Sequence, residues 1–545
     1  MQNPTNSSRS WGSYLATSRG SLLVASALAV TALGGTAGCR VTEDNVRRWS
    51  DTEHGPDKLV AVLTHAKYET SLRTSAALAL IGMKPRGGRR IGINRAVESI
   101  AQLSVDERKA VLDGLAPTLI AKMKETSPGN QGAAAAQAAA DPSVPFKDAT
   151  FALLSYDKST LVTDDATRKK LSDALIDWCQ HDFDRRIDNS SQMYGMEQVL
   201  RFLRAPAVKG LPALIVPDEP KIDRIAALIA ELGDDATKEA ASTKLVDVAK
   251  AVASPTWIAK KQAAVEEANK AAKITATAAQ LAAQMAAYQT EELTRTFAAM
   301  KKVGGRAVIG FCLDFASDKG SSPVAVENEK RRAASMAALE GRLDRNRPDD
   351  VQRVLAIAGA DDTPDSVRDL AFQRVGEMPR EQVVGRLFDL FSSKKWKVRW
   401  VSASTVLRMS ATPQLGEFMT KLPSGAAAGF ALSEPLSYGG LIEKMTVKDG
   451  LKARDAATKF LREGSLAAHL TALGWFYANG TPADVAALAS FEADATPVPK
   501  TDDPDAKWQC DVPKGTDGKE TETKPIANLG EFVKFCVEPA MKGRT

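Results

Sequence analysis

The best functional lead is a basic loop. Met83-Lys84-Pro85-Arg86-Gly87-Gly88-Arg89-Arg90-Ile91-Gly92 and nearby Arg95 place Lys84, Arg86, Arg89, Arg90 and Arg95, five positive charges, within twelve residues. The loop lacks the Gly-Lys-Ser/Thr ending of a nucleotide-phosphate loop, and no strand is expected before it. It is the candidate site for an anionic partner (lipid headgroup, cell-wall polymer or acidic protein face), weighed against a solvated loop between helices. A second cluster, Trp178-Cys179-Gln180-His181-Asp182-Phe183-Asp184, holds ligand-type groups. Cys179 and His181 are two apart, however, and on a helix point to different faces. The alternative is a helix C-terminus, where His181, Arg185 and Arg186 suit the dipole. The four histidines, His54, His65, His181 and His469, form no His-Glu-x-x-His pattern. Asp164-Asp165, Asp234-Asp235, Asp349-Asp350 and Asp361-Asp362 stand beside expected helix starts or turns, where carboxylates cap free N–H groups. No Gly-x-Ser-x-Gly elbow occurs. No catalytic residue, metal ligand or cofactor is predicted.

The elements that carry these residues read as helices. Leu59, Val62 and Leu63 form one face; Leu72, Ala76, Ala79 and Leu80 form the next, closed by Gly82. Val351, Val354, Leu355 and Ala358 form another, and Thr363-Pro364 opens its successor as cap and first-turn proline. Val384, Leu387, Phe388 and Phe391 precede Val398-Arg399-Trp400-Val401-Ser402-Ala403. Residues 256–303 contain neither Gly nor Pro. They form either one helix about 70 Å long or two antiparallel helices turning near 275–277. Residues 126–145 read as a flexible insertion, 422–440 as a long loop, and 494–545 as irregular.

Leu72-Arg73-Thr74-Ser75-Ala76-Ala77-Leu78-Ala79-Leu80-Ile81-Gly82 resembles the second helix of a HEAT repeat. Arg331-Arg332-Ala333-Ala334, Val367-Arg368-Asp369-Leu370-Ala371 and Val398-Arg399 are similar. Counted from Arg331, the arginines lie 37 and 31 residues apart, within the range of helical repeats. The resemblance implies an all-α, HEAT/armadillo-like α-solenoid of stacked hairpins with loop insertions. Repeats are expected over 56–255 and 304–493, with the arginines as ladders or caps between repeats. It says nothing specific about function.

The N-terminus reads as an address. Residues 1–20 carry Arg9 and Arg19 and no acid, and the apolar run from Ser21 to Leu33 is 13 residues long. That suits a signal-peptide core and is shorter than the roughly 20 residues a membrane-spanning helix needs. Thr36-Ala37-Gly38-Cys39 resembles a bacterial lipobox, with Thr36 where the family usually has Leu. The resemblance implies removal of 1–38, lipidation of Cys39 with palmitate-type acyl chains, and 39–55 as a tether. Arg40, in place of the enteric inner-membrane Asp, favours the outer membrane. Arg47, Arg48 and Trp49 are placed to meet anionic headgroups. In an exported chain Cys510 and Cys536 are expected to bridge, and Cys179 and Cys312 to be buried free thiols.

Hydrophobic residues make up 44% of the 545, charged residues 26% and aromatics 6%, with a net charge of +5. Without the signal the charge is about +3, too balanced for a general nucleic-acid binder. The expected protein is an envelope lipoprotein, a scaffold or adaptor whose partners are other envelope proteins and the membrane. The alternative is an enzyme or accessory subunit with a loop-built site, conceivable because tetrapyrrole-lyase relatives contain HEAT-like modules.

Overall fold

A computed structural model describes residues 41–85, 90–125, 141–318, 324–344, 347–393, 395–409, 418, 421, 433–449, 452–462, 464–500, 507–514 and 520–544. The expected signal segment 1–38, Cys39, Arg86, Arg89 and most of the expected insertion (126–140) lie outside them. The structure is all-α in character, 73% helical and 3% strand. No described helix is long and apolar enough to cross a membrane.

In chain order the first helices are α1 Glu43–Trp49, α2 Gly55–Thr64, α3 Thr70–Ile81, α4 Ile91–Ala101, α5 Val105–Met123, α6 Val144–Leu154 and α7 Asp165–Gln180. A single turn α8 Phe183–Arg186, then α9 Met196–Leu203 and the turn α10 Ala205–Val208, lead to α11 Ile222–Leu232 and α12 Asp235–Ala253. Next come α13 Pro255–Ala272, α14 Ala278–Val303, α15 Arg306–Ser317, α16 Ala325–Ala337, α17 Pro348–Gly359, α18 Asp365–Val375, α19 Arg380–Asp389 and α20 Trp396–Met409. Helices Ser433–Asp449, Ala453–Arg462 and Leu466–Asn479 follow.

Their packing is sequential. α2 lies on α3 and on α4, α3 on α5, α4 on α6 and α5 on α7. Farther on, α14 lies on α16, α15 on α17, α16 on α18, α17 on α19 and α18 on α20. Each helix therefore covers its neighbour's apolar stripe and that of the next helix but one. Small residues such as Ala76, Ala77 and Ala371, all fully buried, allow the close approach. The apolar core runs in two stretches that share Ile120, Phe146, Leu154 and Tyr194 at their boundary.

A recurrent arginine closes these hairpins. The last carbonyls of a helix have no partner in the helix itself, and they carry its negative dipole end. Arg73 of α3 donates to the Leu63 carbonyl near the end of α2 at 2.8 Å. Arg332 of α16 donates to the Ala316 carbonyl of α15 at 2.8 Å. Arg368 of α18 reaches the carbonyls of Ala358 in the last turn of α17 and of Ala360 just after it, at 3.2 and 2.9 Å. Arg399 of α20 reaches the Ser393 carbonyl at 2.5 Å. Arg332 makes this contact rather than Arg331, from which the spacing was counted. Arg331 turns to α14, bonding Thr290 Oγ1 at 2.8 Å and the Ala286 carbonyl at 2.7 Å. The arginines thus cap within a hairpin, and some also reach a helix beyond it, as expected of ladders: Arg73 pairs with Glu107 of α5 at 3.1 Å, and Arg331 reaches α14.

Other expectations need correction. Residues 43–49 of the expected tether form α1, which packs on α2 and α3 through buried Val46. Residues 433–440 of the expected loop are helical, because the Ser433–Asp449 helix lays Gly439 and Tyr438 against its neighbours. The end of the 126–145 insertion belongs to the body, since Ser143 and Val144 are fully buried. The buried face of α3 holds Arg73, Ala76, Ala77 and Leu80, with Leu72 and Ala79 at its margin. Pro364 is the residue before α18 rather than its first-turn residue.

Residues 494–545 are not irregular throughout. β1 Gln509–Lys514 pairs antiparallel with β2 Glu520–Pro525, with Gln509 opposite Pro525. Helical segments Leu529–Phe532, Val533–Val537 and Glu538–Lys542 follow. A disulfide joins Cys510 of β1 to Cys536. Trp508, Ile526 and Phe532 bury this unit against the end of the helical array.

Residues 255–303 take the two-helix form. Lys273 ends α13 in the left-handed conformation (φ 58°) and Thr277 caps α14. Only Trp257 of α13 is buried, and burial on α14 begins at Met285. The hairpin therefore projects as an arm, while the second half of α14 sits in the array against α11, α12 and α16.

Candidate functional site

The basic segment leads to two neighbouring clefts along α4. This helix buries Ile93, Ala96, Val97 and Ile100 and leaves Asn94 and Glu98, one turn apart, on its exposed face. At the N-terminal end of α4 is a cleft of about 600 Å³ lined by Pro85, Arg90, Ile91, Asn94 and 190–193. Along its length is a second, about 580 Å³. α4 gives Asn94 and Glu98 to this cleft, and α6 gives Phe151. The segment after α6 gives Tyr156, Asp157 and Lys158, and α9 gives Gln198 and Phe202. Asn94 lines both clefts.

The basic side chains do not form a single patch. Lys84 is exposed. Arg90 donates to the Ser191 carbonyl at 3.3 Å. Arg95 points the other way, toward α2, and pairs with Asp57 at 2.5 Å. Helical spacing explains the split, because residues five apart on a helix do not share a face. Near the N-terminus, Arg47 and Arg48 are exposed on α1, while Lys58 sits over the Trp49 ring at 5.5 Å.

A buried polar network supports the clefts. Lys147 and Asp148 of α6 are fully buried and paired at 2.6 Å. Lys147 also donates to Gln192 Oε1 at 2.9 Å and to the Tyr194 carbonyl. Asp148 accepts from the backbone N–H groups of Met193 (2.9 Å) and Tyr194 (3.2 Å). The pair thus fixes the 192–194 segment that forms one cleft wall. Burial pushes the Lys147 ammonium below its usual range, against the opposing pull of Asp148. The Trp178 ring lies 5.1 Å from the Lys147 ammonium and 4.4 Å from the Arg186 guanidinium, and its indole N–H donates to Ser143 at 2.7 Å.

Arg186 donates to the Trp178 carbonyl at 2.8 Å and the His181 carbonyl at 3.2 Å, closing the C-terminus of α7. Cys179 is buried, and burial pushes its thiol up to about 12. Cys312 is buried too, and burial likewise raises its thiol. His181 is exposed, beside Asp182 at 3.7 Å. Asp164 and Asp234 cap α7 and α12 by accepting from Thr167 (2.7 Å) and Thr237 (2.8 Å). Asp350 is buried against Arg306. Among the described residues no group of three or more His, Cys, Asp or Glu is placed to hold a metal ion.

Sequence reasoning missed Lys147, Asp148 and the aromatic-lined cleft. The available signal was Lys147-Asp148 inside an apolar stretch, Val144 to Leu154, where a charged pair is costly unless satisfied. The chain matches no protein-family model and no curated protein.

Proposed function

We propose that this chain is a lipid-anchored protein of the bacterial cell envelope that acts as a scaffold or adaptor through a HEAT-like α-solenoid. The observation that carries the reading is the packing order: each helix leans on its hairpin partner and on the next helix but one. A recurrent arginine also closes successive hairpins. Arrays built this way offer long curved surfaces and rows of inter-helix loops, which suit other proteins better than small substrates. In this reading diacylglycerol on Cys39 fixes the address, with the outer membrane favoured over the inner. Envelope proteins are the partners, and nucleic acid is not.

Mass spectrometry of the mature protein from membranes tests the anchor. The expected N-terminus is acylated Cys39, and Cys39→Ala shifts the protein to the soluble fraction. An unlipidated N-terminus elsewhere removes the anchor from the proposal. Photo-crosslinkers on exposed α4, α9 and arm positions test the scaffold. Discrete envelope-protein adducts support it; no adduct from any position contradicts it.

A further inference from the structure

The cleft between α4, α6 and α9 is lined by both polar and aromatic side chains. Its volume of about 580 Å³ falls within the range of small-molecule sites, roughly 300–1,000 Å³. Four planar polar side chains line it: Asn94, Glu98, Asp157 and Gln198. Among the described residues none of the four has an intramolecular side-chain partner. Beside them is an aromatic surface. Phe202 is 43% exposed, although its ring is held edge-on to buried Phe151 at 5.3 Å.

That combination narrows the ligand. A purely apolar ligand would strip water from four polar groups and return no hydrogen bonds. An anion is not selected, since Glu98 and Asp157 outnumber Lys158. A pyranose ring meets both requirements. Its C–H face packs on an aromatic ring, and its rim of hydroxyls both donates and accepts. The two amides offer donor and acceptor on adjacent atoms, and the carboxylates accept.

We propose that this cleft binds a pyranose unit of a glycan, with Phe202 as the stacking surface and Asn94, Glu98, Asp157 and Gln198 holding the hydroxyls. Lys147 and Asp148 are positioning residues, since they hold the backbone of Tyr194, which lines the cleft. The site lies in the folded body, so it does not depend on the lipid anchor.

The test is titration calorimetry of the purified chain with three probes: triacetylchitotriose, cellotriose and maltotriose. At least one is expected to bind saturably with a dissociation constant of about 1 mM or tighter. Phe202→Ala and Asn94→Ala each weaken that binding at least about tenfold, and Cys39→Ala leaves it unchanged. Both substituted side chains are exposed, and thermal melts confirm that the variants fold. If Phe202→Ala misfolds, Gln198→Ala serves in its place. No saturable binding of any probe up to about 10 mM, or binding unaltered by the folded variants, overturns the proposal. Loss of sugar binding with an intact lipid anchor, or the reverse, tells the two readings apart.

Discussion

Arg399 and Glu434 are 0% and 1% exposed, and two 2.7 Å hydrogen bonds join them side by side. Tyr438 adds a third, donating to the same carboxylate at 3.0 Å. The pair links α20 to the Ser433–Asp449 helix, one step of the array. Removing either partner strands the other as a buried charge, at a cost of about 3–5 kcal/mol. Replacing both with apolar residues of similar length removes the desolvation penalty and the attraction together. The net change is then small, apart from about 1 kcal/mol each for the acceptor Tyr438 loses and the donor the Ser393 carbonyl loses. Arg399→Met and Glu434→Leu should therefore each destabilise strongly, while the double variant recovers most of the loss. Peptide-resolved hydrogen exchange across 396–409 and 433–449 reads this locally, which matters because a long array does not unfold in one step. At about 1.4 kcal/mol per decade, each single variant speeds exchange roughly 100- to 5,000-fold, up to the local stability limit. Trp396 and Trp400, with ring centroids 5.8 and 6.1 Å from Tyr438, give a parallel fluorescence signal. A double variant no better than the worse single one would refute the reasoning.

Three further predictions concern the C-terminal third. Cys510 and Cys536 enclose 26 residues of sequence separation, so replacing both by Ser should cost the β-hairpin unit about 3.5 kcal/mol; unchanged exchange protection at 507–525 would rule this out. His469 has a buried, unpartnered Nε2 and packs on Phe491 at 5.6 Å. Burial holds its imidazole below 6.5, with Asp494 pulling the other way. The unfolded chain then binds more protons than the folded one between the two values. Stability should be complete above about pH 6.5 and decline as pH falls through that value toward the depressed one. Melts should show this decline, and His469→Gln should flatten it; a melt that rises on acidification would contradict it. Finally, a Cβ on Gly439 would lie 2.6 Å from the Trp475 backbone nitrogen, whereas one on Gly440 meets nothing within 4 Å. Gly439→Ala should lower the thermal midpoint, at a cost of about 1–3 kcal/mol, and Gly440→Ala should not.

The sequence was most legible where one rule governs. Leu59, Val62 and Leu63, and likewise Val351, Val354, Leu355 and Ala358, repeat at helical spacing and are all buried. Asp164 and Asp234 stand at helix starts as expected of caps. Legibility failed where the deciding partner is remote in sequence. Whether Arg331 or Arg332 closes a hairpin depends on the phase of α16 against α14 and α15, which neither residue reveals. Nor could Asn94, Glu98, Asp157 and Gln198 be read as one group, since they come from two helices and the segment after α6 and share no motif. The C-terminal hairpin was hidden because Thr521, Thr523 and Asp511 carry no apolar alternation; the disulfide and the packing of Trp508 hold it instead.

The arm formed by α13 and the first half of α14 is a detour. α12 already touches α14 and α15, so the stack closes behind it. The turn at 273–277 is fully exposed, and its reach is set by nothing in the core. Related chains could therefore lengthen or trim this handle while keeping the same body, and a foreign segment spliced into the turn would ride on the outside without disturbing the stack.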